Sequence, residues 1–235
     1  MSVDHSLLRR AKGGVAFLRL YRWAPPCLSF GRNEPAAARY DREEIERLGL
    51  ATVRRPTGGR AVWHDAEVTY AVAAPNATFG SLQETYNIVH STLASALRRV
   101  GIPARLAGRP SSRTTTSLTG GACFTAPAGG EVVVAGRKLV GSAQVREGES
   151  FLQHGSILLE DGQDIVARVI RGEHMTPAAT SLSAELGRPV GFTEIAAAIR
   201  AEVVRSWSGR WNDADAPVFE SDVGRYADPA WTWRR

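Results

Sequence analysis

Cys123 and Lys138 stand fifteen residues apart in the second half of the chain. A thiol attacks as its thiolate, and a nearby ammonium favours that form. Lys138 lies in G-R-K-L-V-G-S-A-Q (136–144), among apolar and glycine residues. The chain carries 29 lysines and arginines, yet only Lys12 and Lys138 are lysines. Arginine is effectively always protonated, whereas lysine is a compact cation whose proton can be moved. A site that needs both a cation and a proton carrier is one reason to write lysine at 138. The plain alternative is a hairpin lysine with its ammonium in water. For Cys123, just past two glycines, the plain alternative is a small buried hydrophobe. Cys27, inside P-P-C-L-S-F, reads as that buried kind.

Two further stretches carry polar chemistry: R-R-P-T-G-G-R-A-V-W-H-D (54–65) and L-Q-H-G-S-I (152–157). Adjacent glycines let the backbone adopt positive φ or approach a ligand closely. A hairpin turn is the bland reading of Gly58-Gly59. The stretch is neither a Walker A loop nor a G-x-G-x-x-G fingerprint. Arg54, Arg55 and Arg60 flank it on one side and His64 and Asp65 on the other. Solvated strand ends would account for the arginines, and a satisfied strand histidine for His154. The five histidines do not cluster at ligand spacing and no C-x-x-C occurs. A metal site is therefore not expected. Two thiols are no disulfide framework.

Elements must position these groups. Phe17–Trp23 reads as a strand closed by Pro25 and Pro26, and Asp41–Leu48 as a short charged helix. Ala51–Arg55 is a strand ending at Pro56. Glu67–Ala73 alternates, with Val68, Tyr70 and Val72 on one face, which predicts a half-buried strand. Ser81 and Glu84 form a capping box, opening a helix whose apolar positions run to Leu97 and which Gly101 closes. Arg109–Gly121 is polar and reads as a mobile loop. Glu131–Val134 and Lys138–Val145 form a hairpin turning at Ala135-Gly136. Phe151–Leu159 is a strand, and Asp164–Ile170 and Thr193–Trp207 are helices. The pattern predicts an α+β fold with a central mixed or antiparallel sheet flanked by helices.

At 235 residues, 43% hydrophobic and 23% charged, the chain has the size and make-up of one soluble domain. No apolar run approaches the roughly 20 residues of a membrane helix. The start, M-S-V-D-H-S-L-L-R-R, lacks the pattern of a signal peptide, so a cytoplasmic location is expected. The net charge of +5 and pI near 9.7 favour acidic partners. The arginines are scattered without aromatic interleaving, which argues against nucleic acid.

Taken together the motifs resemble the biotin/lipoate protein-ligase superfamily, and within it the lipoate-ligase-like octanoyltransferases of bacteria. R-R-P-T-G-G-R-A-V-W-H-D-A-E-V-T-Y-A-V (54–72), C-F (123–124), G-R-K-L-V-G-S-A-Q-V-R (136–146), L-Q-H-G-S-I-L (152–158) and T-S-L (180–182) carry the resemblance. So do M-S-V-D-H-S-L-L and R-W-A-P-P-C-L-S-F-G-R near the start. ATP-dependent lipoate ligases typically read S-G-G-G and H-D-L-G-N, where this chain has T-G-G-R and H-D-A-E-V. The G-R-G-R-x-G-R loop of biotin ligases is absent.

The resemblance implies one acyltransferase domain over residues 1–235 with the superfamily's catalytic-domain fold. It implies Cys123 and Lys138 as catalytic residues. Arg55, Thr57, Gly58, Gly59, Arg60, His64, Gly141, Ser142, Ala143, His154, Gly155 and Ser156 would border the acyl group. It further implies acyl carrier protein as octanoyl donor, and as acceptor a lysine of a lipoyl domain, on a glycine-cleavage H protein or a 2-oxoacid dehydrogenase E2. No ATP, metal, membrane or nucleic acid is called for, and a monomer is expected. An ATP-dependent lipoate ligase and a non-catalytic carrier-binding protein are the competing readings.

Overall fold

Ser81 and Glu84 meet as the sequence requires. The Glu84 amide donates to Ser81 Oγ (3.2 Å) and the Ser81 amide to Glu84 Oε2 (2.7 Å). Both orphan donors at the helix start are thereby satisfied. The computed structural model describes residues 1–108, 129–172, 179–213 and 220–234. Cys123 and the loop expected over Arg109–Gly121 lie outside the described residues. In chain order the elements are α1 (Ser2–Arg10), β1 (Phe17–Tyr21), β2 (Cys27–Phe30), α2 (Ala36–Arg39), α3 (Arg42–Arg47), β3 (Ala51–Arg54), β4 (Val62–His64), β5 (Glu67–Pro75), α4 (Leu82–Arg99), β6 (Arg105–Leu106), β7 (Val132–Val134), β8 (Arg137–Lys138), β9 (Val140–Glu147), β10 (Ser150–Leu158), α5 (Asp164–Val169), α6 (Leu182–Leu186), α7 (Phe192–Ser206), α8 (Glu220–Ala227) and α9 (Pro229–Thr232).

The main sheet is wholly antiparallel, in the order β1-β5-β10-β9. A second sheet, β3-β2-β4, is mixed: β2 runs parallel to β3 and antiparallel to β4. A third joins β6, β7 and β8. Val68, Tyr70, Val72 and Ala74 of β5 pack with Val89, Leu93 and Leu97 of α4 and Ile195, Ile199 and Val203 of α7. These helices supply the apolar stripe that their 3.6-residue period encodes.

β5 is not half-buried. Residues 67–74 are all buried. The cause is α1, whose Leu7 and Leu8 cover Ala71 and Ala73 on the second face. Alanine there lets the helix approach closely. The expected hairpin forms, with Val133 opposite Lys138 and Val134 opposite Arg137. Its second arm is shorter than expected, because Val140 onward pairs with β10 instead.

Two glycines are demanded by close approach. Tyr70, Gly155 and Ser142 lie in one row across β5, β10 and β9. A Cβ on Gly155 would fall 2.5 Å from Ser142 Oγ and 2.4 Å from the Gly141 carbonyl oxygen. Where β2 ends, a Cβ on Gly31 would fall 1.8 Å from the Gly59 carbonyl oxygen. Backbone cannot swing aside as a flexible side chain does. Gly31→Ala should therefore cost about 3 kcal/mol or more. A lower urea midpoint at unchanged m-value checks it; an unchanged midpoint would mean the Gly58-Gly59 turn is free to move.

Candidate active site

The turn after β3 is held by its own arginines. Arg54, with no exposed surface, donates to the carbonyls of Gly31 (2.8 Å), Arg32 (3.1 Å), Glu34 (2.7 Å), Trp231 (2.9 Å), Thr232 (3.0 Å) and Arg234 (2.9 Å). Burial and the nearby Arg234 charge lower its pKa to about 10. Arg55 donates to the Ser29 carbonyl (2.8 Å) and Oγ (2.6 Å) and to the carbonyls of Gly58 (3.1 Å) and Arg60 (2.8 Å). The expectation of solvated strand ends is thus corrected. These guanidiniums sit inside because a planar fork of five donors can satisfy many carbonyls at once.

Arg55, at the start of this loop, borders a narrow cleft, about 20 Å³ of which is open to a water-sized sphere. Arg55, His64, Gly141, Ser142, Ala143, His154, Gly155 and Ser156 line it, together with Met1, Val62 and Thr69. Sequence reasoning did not single out the last three. Thr57, Gly58, Gly59 and Arg60 do not line it. Thr57 Oγ1 instead meets His154 Nε2 at 2.6 Å, and Gly58 and Arg60 are tied to Arg55.

Each cleft histidine is fixed between a carboxylate and a hydroxyl. His154 lies 3.2 Å from Asp4 Oδ2 through Nδ1. Burial lowers its pKa against the pull of Asp4. The neutral ring therefore donates from Nδ1 to the carboxylate and accepts the Thr57 hydroxyl at Nε2. Burial pushes the Asp4 carboxyl up, but the His154 hydrogen bond and neighbouring positive charge outweigh it and hold it well below the ordinary range. Arg19 and Tyr21 also donate to Asp4, at 2.6 and 2.8 Å. His64 bridges Glu67 Oε1 (2.8 Å) and Ser29 Oγ (2.6 Å) and stacks on Trp23, centroid to centroid 4.4 Å.

Behind Ser142 runs a directed chain. His90 Nδ1 faces the Gly130 carbonyl at 2.7 Å, so Nδ1 carries the proton. Burial, against the pull of that carbonyl, lowers the His90 pKa to about 4, and Nε2 is bare. Nε2 accepts from Ser142 Oγ (2.8 Å), which accepts from the Tyr70 hydroxyl (2.6 Å), which accepts from Gln153 Nε2 (3.0 Å).

Lys138 is not in water. It is 3% exposed, and its Nζ donates to the buried Glu131 carboxylate at 2.6 Å. Its charge contributes to the lowering at His90, which places the ion pair near the back of the Ser142 chain. The Lys138 carbonyl accepts from the Thr180 amide (2.9 Å), tying T-S-L to the same strand. Glu131 was legible after all. With Val133 opposite Lys138, Glu131 shares the Val133 face and lies diagonal to the lysine. Cys27 is buried, and desolvation pushes its thiol up to about 12, so it is no nucleophile.

The lipoyl protein ligase A/B catalytic domain matches residues 1–204. The chain is 34% identical to the octanoyltransferase LipM of Kyrpidia tusciae over 262 aligned positions, covering 100% of this chain and 94% of that protein. It is 42% identical to the octanoyltransferase LipM of Moorella thermoacetica over 174 positions, 71% of this chain and 63% of that protein's length. A crystal structure of lipoate-protein ligase A bound with ATP superposes with a TM-score of 0.79 at 17% identity, covering 99% of this chain and 92% of that one. That likeness shows a common fold. The chain belongs to the lipoyl protein ligase A/B catalytic-domain family. Within that family its sequence stands with the octanoyltransferases.

His90 generates a pH prediction. Its folded value of about 4 lies below the unfolded 6.5, so the folded state binds fewer protons between them. Stability is full above pH 6.5 and falls as the pH drops toward 4, by about 3 kcal/mol at one pKa unit per 1.36 kcal/mol. Urea midpoints from pH 4 to 7.5 should slope less in His90→Gln than in the wild type. Identical slopes would show that His90 does not titrate as a buried base.

Proposed function

We propose that the chain transfers an octanoyl group from acyl carrier protein to a lysine of a lipoyl domain, through a thioester on Cys123. It does so without ATP, metal or other cofactor, as a cytoplasmic monomer. What carries the reading is the cleft. Segments far apart in sequence converge on a small, mostly apolar pocket, with a buried lysine behind it. Among the described residues no helix is long and apolar enough to cross a membrane.

The chemistry follows in two steps. The Cys123 thiolate attacks the donor thioester carbonyl, and the phosphopantetheine thiolate leaves. One thioester replaces another, so the step is nearly balanced and needs no activation by ATP. The acceptor lysine then attacks Cys123's thioester and the cysteine sulfur leaves. Forming an amide from a thioester drives the transfer forward. The acceptor nitrogen sheds two protons between ammonium and amide, and the departing sulfur can take one back. With an ordinary pKa near 10.4 the acceptor is almost wholly charged at pH 7, so a base must act. Lys138 supplies the positive charge that favours the Cys123 thiolate in the first step. In the second it relays the acceptor's proton, with Glu131 at 2.6 Å as the group that shares it.

Incubating the protein with octanoyl-carrier protein should add one octanoyl group, mapped by mass spectrometry to Cys123. Activity that leaves Cys123 unmodified and requires ATP and free lipoate would assign the chain to the ligases. Unchanged transfer in Cys123→Ser would remove the cysteine from the mechanism. Lys138→Arg keeps the charge and loses the transferable proton. We expect it to acylate Cys123 within about tenfold of the wild-type rate, while amide formation falls by about 10² to 10⁴. Equal losses in both half-reactions would leave Lys138 an electrostatic or positioning group.

A further inference from the structure

Many exposed arginines here sit beside a carboxylate: Arg42 with Glu46 (2.8 Å), Arg47 with Glu44 (2.6 Å), Arg188 with Glu194 (2.6 Å) and Arg200 with Asp213 (2.9 Å). One corner departs from this. Arg225 and Arg234 lie over Trp231, with the Arg32 charge close to Arg234. The Arg225 guanidinium lies 3.8 Å from the ring centroid and that of Arg234 4.3 Å. Arg234 also donates to the Arg32 carbonyl. Among the described residues none of the three forms an ion pair. The carboxylate next along the chain, Asp228, is spent capping the Ala230 amide at 2.8 Å. After burial, the charges of Arg32 and Arg225 hold Arg234 below its ordinary pKa.

Three like charges held together, with no ion pair of their own among the described residues, repel, and an anion placed among them relieves that repulsion. The corner is also joined to the candidate active site. The Arg32 amide donates to the Thr57 carbonyl at 2.7 Å, and Thr57 in turn holds the cleft histidine His154. Guanidinium forks suit a phosphate better than ammonium groups do, because two parallel N–H donors match two oxygens. An acyl carrier protein brings a phosphodiester at the root of its arm; a lipoyl domain has none.

We propose that Arg32, Arg225 and Arg234 form the docking corner for the acyl donor, taking the phosphodiester of its phosphopantetheine arm and the carboxylates around it. This rests on the reading of the donor given above. Such a surface speeds encounter more than it alters the bond-making step, and it weakens with salt.

The test compares two octanoyl thioesters, one on holo-acyl carrier protein and one on pantetheine, which lacks phosphate. Cys123 acylation is read by intact mass in wild type, in the triple variant Arg32→Glu, Arg225→Glu, Arg234→Glu, and in Arg225→Gln alone. The triple variant should lose about tenfold or more in rate from the carrier at low salt and keep its rate from octanoyl-pantetheine within about twofold. Arg225→Gln should show a smaller loss of the same kind. An unchanged carrier rate overturns the proposal. So does an equal loss from both donors, or a loss confined to transfer onto the lipoyl domain. A wild-type enzyme acylated by neither donor would instead overturn the proposed reaction.

Discussion

Arg54 and Arg55 are the constraint on which the site depends. Two guanidiniums enter the interior and donate to carbonyl oxygens. Arg54 fastens the end of β2 and the turn after it to the last residues described, 231–234. Arg55 fastens the same strand to the Gly58–Arg60 turn. Both would leave several buried acceptors unpaired if shortened, and such acceptors are costly to leave unmade. The turn is therefore rigid, and through Thr57 it fixes His154 on the opposite sheet. Gly31 and Gly59 approach so closely that neither clamp would close with a side chain between them.

On that frame the polar groups around the cleft are committed to one another. Asp4, His154 and Thr57 form one relay, and Glu67, His64 and Ser29 another. Gln153, Tyr70, Ser142, His90 and the Gly130 carbonyl form a third, each donor aimed at one acceptor. Such networks fix geometry when their members are satisfied, and Glu67 Oε2 is the buried oxygen of these three left without a partner among the described residues. His154 and His90, held below the ordinary histidine pKa by burial, are neutral, and with His64 they shape the cleft wall. In the reaction proposed above, the mobile proton is left to Lys138 and Glu131.

Much of this was legible. The capping box, the amphipathic α4 and α7, the Ala135-Gly136 turn and the alternation of β5 are local signals, and local physics decides them. The motif segments converge because β9 and β10 form a hairpin and β10 pairs with β5; Gly148 marks the hairpin turn, but the pairing with distant β5 has no sequence signature. The buried arginines were misread because arginine is rarely fully buried; only their carbonyl partners, distant in sequence, explain them. α1 was missed because its buried positions include Asp4 and His5, polar residues that blur an apolar stripe. The second face of β5 was misjudged for the same reason, since α1 is what covers it.

The account stands on Cys123 carrying the acyl group between two proteins, and the competence of that intermediate tests it most directly. Enzyme acylated on Cys123 would be isolated free of donor and mixed with an unmodified lipoyl domain, with no ATP present. Octanoyl-lysine should appear on the domain as the Cys123 adduct disappears, in equal amounts and in a single turnover. An adduct that persists while the domain remains unmodified would contradict the account.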